Sequence, residues 1–89
     1  MSIKALNWAF SQELAASPKL TLLALADHAD DDGICWPGVT GLAKKTSQSE
    51  RTIQRRLVEL QEAGYLRSEE RIGRTNLYHL ILPTEKDKC

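Results

Sequence analysis

The chain of 89 residues has few cysteines, no net charge and no long apolar run. Each lack excludes something. Two cysteines, Cys35 and Cys89, make no disulfide framework, and the usage fits a reducing cytoplasm. With His28 and His79 they complete the soft ligands, none in paired metal-binding spacing, so no structural metal is expected. The longest apolar stretch, Leu22 to Ala26, is five residues, against the roughly 20 that a membrane span needs. Met1-Ser2-Ile3-Lys4 leads into an amphipathic segment, not a secretory apolar region. No Ser/His/Asp set, carboxylate pair or glycine-rich phosphate loop emerges, so neither catalysis, a cofactor nor a small-molecule substrate is expected. At this length one domain is expected, over residues 1–83, with 84–89 a frayed tail.

What is present is an ordinary globular composition, 42% apolar and 27% charged. The zero net charge hides a split. Residues 1–43 carry −3 and residues 44–89 carry +3. The gradient is steepest from Lys44 to Arg56, where five basic residues face the single acid Glu50. That asymmetry suits one polyanion-facing surface, and equally a solvated helix face.

Periodicity predicts a short helix over 5–15 and a second after Ser17-Pro18, with serine as cap and proline in its first turn. The second is apolar almost all round (Leu20, Leu22, Leu23, Leu25), as a central helix should be. Asp30-Asp31-Asp32-Gly33 reads as a turn; its spacing puts His28 and Val39 where calcium ligands belong, and calcium is rejected. A β-prone Ile34–Trp36 follows, then a short helix over 39–46. Ser49 caps a longer helix that runs to about Ala63 and stops at Gly64. Its core stripe is Ile53, Leu57 and Leu60; Arg51, Arg55 and Glu62 lie close to the opposite side. Strands over 65–70 and 76–82 complete the chain around a turn at Arg71 to Thr75.

Short helix, tight turn, longer helix with a basic outer face: this is the pattern of a helix-turn-helix. Ala43 supplies the small residue needed where the two helices cross. Gln48, Ser49, Arg51, Thr52 and Arg55 are the candidates for base edges, since Arg forks onto guanine and Gln onto adenine. Lys44, Lys45, Arg56 and Arg74 are the candidates for phosphates. The terminal hairpin, with Arg71 and Arg74 about its tip, would form a wing reaching backbone or minor groove, unless Glu69 and Glu70 pair those arginines. The expected class is α+β, mostly α: a winged helix-turn-helix with three or four core helices and a small antiparallel sheet.

Leu42-Ala43-Lys44-Lys45-Thr46, Ser49-Glu50-Arg51-Thr52-Ile53-Gln54-Arg55, Glu62-Ala63-Gly64-Tyr65-Leu66 and Gly73-Arg74-Thr75-Asn76-Leu77-Tyr78-His79-Leu80 together resemble a winged helix-turn-helix family. That family is frequent in phage, prophage and plasmid proteins, often as the N-terminal domain of replication initiators. The segment from Lys19 to Pro37 is similar to it as well. The resemblance spans about residues 3–82 and implies binding of double-stranded DNA, with the longer helix in the major groove. Four departures stand out. Ser47 and Gln48 replace a glycine and an apolar residue in the turn. Ser47 is thereby expected to take a left-handed conformation, and Gln48 to anchor the turn less well. Gly38 replaces a serine cap, and Arg56 a small packed residue. Trp8, Phe10 and Trp36 are expected in the core or at a homodimer surface, and His79 facing outward. A protein-interaction module on the same fold is the rival reading, favoured by the neutral charge and the Asp27–Asp32 corner.

Overall fold

In the computed structural model, which describes residues 3–30, 32–73 and 76–82, seven elements follow one another. They are α1 (Ile3–Ser11), α2 (Ala16–His28), β1 (Ile34–Cys35), α3 (Val39–Thr46), α4 (Glu50–Glu62), β2 (Leu66–Glu69) and β3 (Leu77–Leu80). The sheet is antiparallel with order β1-β3-β2. Its register pairs Cys35 with Tyr78 and Leu66 with Leu80. Four helices on a three-stranded sheet are the winged helix-turn-helix architecture that the sequence predicts.

The helices pack around α2. Leu22 and Leu25 are fully buried, as are Leu42 of α3, Ile53 of α4 and Cys35 of β1. Alanines 5, 9, 24, 26 and 43 let the helices approach closely. From the sheet, Leu66, Tyr78 and Leu80 close the core, as their alternation predicts. Trp8 is half-buried and tilts against Tyr65, ring centroids 6.3 Å apart, tying α1 to the chain beyond α4. Burial, with the carboxylate of Asp30 adding to it, pushes the Cys35 thiol up to about 12, so it packs as a small hydrophobe.

Three local readings need correction. The first helix ends at Ser11, not 15, because the Ser11 hydroxyl and Gln12 amide donate to the Trp8 carbonyl and close it off. Ser17 is not the cap of α2: the helix begins at Ala16, with Pro18 in the first turn, where no N–H is missed. Its hydroxyl is therefore available for other helices. Leu20 is exposed rather than central.

Among the described residues, Asp30 builds the aspartate turn: its carboxylate accepts from the Asp32 and Ile34 amides. Gly33 follows at φ +81°, and a Cβ there would lie 3.0 Å from the Leu80 carbonyl oxygen. Only glycine lets this turn seat β1 against β3, since the Gly33 carbonyl accepts from Leu80 N–H at 2.8 Å.

Candidate nucleic-acid interface

Helices α3 and α4 are joined by a turn whose hydrogen bonds are those of a Schellman cap. Gln48 N–H donates to the Ala43 carbonyl (3.0 Å) and Ser47 N–H to that of Lys44 (3.3 Å). The cap requires a left-handed residue, and Ser47 supplies it at φ 57°, ψ 38°. It is the only non-glycine residue with positive φ among those described. The departure at this position thus costs strain while the turn keeps its geometry.

Ser49 then caps α4. Its hydroxyl oxygen accepts from Thr52 N–H (3.1 Å) and its own hydrogen goes to the Thr52 hydroxyl (2.9 Å). The stripe of Ile53, Leu57 and Leu60 faces the core. At 100° per residue, Arg51 and Arg55 must then point away from it. Both are exposed, as is Lys44 at the end of α3. None of the three side chains meets a hydrogen-bond or ion-pair partner among the described residues. Gln61 holds the far end of α4 to the hairpin: its side-chain oxygen accepts from Ser68 N–H (3.0 Å) and hydroxyl (2.6 Å). A groove of about 320 Å³ opens between α4 and the hairpin, bordered by Gln54, Val58, Asn76 and Tyr78.

A family model described as a helix-turn-helix domain matches residues 12–66, from before α2 to the start of β2. The chain belongs to the helix-turn-helix family. Protein YmfN of Escherichia coli (strain K12) is 29% identical over 70 residues, covering 74% of this chain. The chain spans 15% of the length of that curated relative. No solved structure matches it.

Within this helix-turn-helix, the candidates divide. Arg51, Arg55, Ser49 and Thr52 share the outer N-terminal half of α4, with Lys44 beside them. Gln48 does not join them. Its amide turns inward, donating to Thr21 Oγ1 (3.1 Å) and Thr46 Oγ1 (3.0 Å) and accepting from Ser17 Oγ. The expectation that Gln48 anchors the turn less well is corrected, and its side chain is turned away from the outer face where base edges were expected: this part-buried amide uses its donors within the fold.

Arg56 is likewise drawn in, with Nε donating to Ser17 Oγ (3.0 Å) and the guanidinium pairing with Glu59. Lys45 pairs with Asp27 of α2, so its charge is compensated on the flank. That ion-paired hydrogen bond holds the Asp27 carboxyl below its ordinary value. In the wing, Arg71 is half-buried rather than offered at the tip, and Arg74 lies outside the described residues. His79 is partly buried, not outward: its Nε2 is buried without a hydrogen bond and lies 3.8 Å from a Glu69 carboxylate oxygen.

Two residues that the sequence left out of the site belong to the same surface. Gln54 and Val58 are exposed on α4 and share a depression with Arg51 and Arg55. The helical wheel was the available signal. Gln54 lies about 100° from Ile53, and an apolar Val58 away from the core stripe has no core to fill.

Proposed function

We propose that this protein binds double-stranded DNA sequence-specifically, inserting the N-terminal half of α4 into the major groove. The observation that carries this is the pair Arg51 and Arg55, exposed one turn apart on the outer face of α4 and in no ion pair among the described residues. A helix about 10–12 Å across fits a groove about 12 Å wide. Two guanidiniums one turn apart can each fork onto a guanine, Gln54 suits an adenine, and Val58 a thymine methyl. Lys44, and the capped amino end of α4 beyond Ser49, suit the flanking phosphates.

The resemblance to phage and plasmid proteins supports a regulator or replication-associated factor of a mobile element, working in the cytoplasm without catalysis. Residues 1–83 act as a DNA-binding domain in this reading. One such module covers only about 600–1,000 Å² of protein surface, so discrimination calls for a homodimer or repeated sites. Ile3 and Phe10 of α1 and Leu20 of α2, all exposed, favour the second reading, a winged helix that docks on another protein.

Titration of generic duplex DNA separates the two. The DNA reading expects affinity to fall by orders of magnitude between about 50 and 200 mM salt. Absence of measurable affinity at both salts would overturn it.

A further inference from the structure

Resting on that reading, we propose that Ser17 of α2 fixes the angle at which α4 meets DNA, through a hydrogen-bond relay to Gln48 and Arg56. One hydroxyl serves both ends. Ser17 Oγ donates to Gln48 Oε1 at the entrance of α4 and accepts from Arg56 Nε (3.0 Å) farther along the same helix. Gln48 precedes the cap, and Arg56 lies seven residues after Ser49, about 10 Å along the helix axis. Two points that far apart, tied to one atom, restrain both tilt and rotation.

The Gln48 end of the relay is fully satisfied. Both amide hydrogens of Gln48 are used, on Thr21 and Thr46, which are 0% and 5% exposed. Thr21 passes its own hydrogen to the Ser17 carbonyl and Thr46 to that of Leu42. Apolar packing of Ile53 and Leu57 is non-directional and tolerates small rotations. Directed hydrogen bonds do not, which is how polar networks select one arrangement. The relay therefore holds Arg51 and Arg55 in aim without touching DNA, and Ser17, Gln48 and Arg56 are positioning residues. Arg56, in place of a small packed residue, is what lets the relay reach α4.

The test measures discrimination: the affinity for a duplex selected from a random pool, relative to a scrambled duplex, with the full chain. Ser17→Ala is expected to lower that ratio about tenfold, comparable to losing one bidentate base contact. Scrambled-duplex affinity and its salt slope should stay within about twofold, since phosphate contacts do not need the exact tilt. Ser17→Thr keeps the hydroxyl and should keep the ratio. Arg56→Lys retains the charge, loses Nε, and gives a second arm should Ser17→Ala fold poorly. A ratio unchanged in both variants overturns the relay, as does an equal loss on both duplexes. A wild-type protein that binds no duplex at any salt would instead remove the DNA reading itself.

Discussion

Ser47 and Gly33 occupy the same left-handed region for different reasons, and the difference is measurable. At Ser47 the fold tolerates a side chain at the expense of backbone strain. Ser47→Gly should raise stability by up to about 1 kcal/mol, as relief of strain exceeds the added freedom of the unfolded chain. Chemical denaturation would show this, with duplex binding unchanged because the Schellman hydrogen bonds are of the backbone. At Gly33 there is no such tolerance. A methyl group meets the Leu80 carbonyl and the Leu82 side chain, so Gly33→Ala should cost about 2–3 kcal/mol. A melting temperature unchanged in that variant would contradict the close approach of β1 and β3.

Among the elements, α4 divides its residues by direction, and variants should follow the division. Arg51→Ala and Arg55→Ala are each expected to lose about 1–3 kcal/mol of binding to the selected site and to alter sequence preference. Lys44→Ala should weaken all duplexes alike and reduce the salt slope by about one. An Arg51→Ala protein with wild-type affinity and preference would take that residue out of the interface. The sequence reading located α3, the turn, the Ser49 cap and α4 almost to the residue, because each carries a local signal. It gave Arg55 to bases and Arg56 to phosphates, without finding the partner that Arg56 has inside the fold. Both are basic neighbours, and 100° of helix rotation sends one to solvent and the other toward Ser17.

For the molecule as a whole, the charge split of the sequence becomes a contact as well as an asymmetry. Asp27 belongs to the acidic half and Lys45 to the basic half, and they meet across α2 and α3. The hydrogen bond from Lys45 lowers the carboxyl below its ordinary 3.8, so the native state binds its proton less readily than the unfolded chain. The pair's stabilisation is therefore present above that ordinary value and fades as pH falls through the lower native one. For a pair this exposed it amounts to under about 1 kcal/mol. The stability gap between wild type and Lys45→Gln should be constant well above the ordinary carboxyl value and narrow as pH falls through the lower native one. A gap that widens on acidification would refute the assignment.

Element order, the three-stranded sheet and the outward Arg51 and Arg55 were settled by the sequence itself. Periodicity, caps and glycine stops act over a few residues, and the winged fold is the arrangement that buries all the resulting apolar faces. Tertiary structure alone decided the fates of Gln48, Arg56 and Lys45. Their partners Ser17, Thr21 and Asp27 lie 18 to 39 residues away in sequence on another helix, and no local pattern records which polar side chains a distant helix will claim. Packing against α2 gave all three polar partners within the fold.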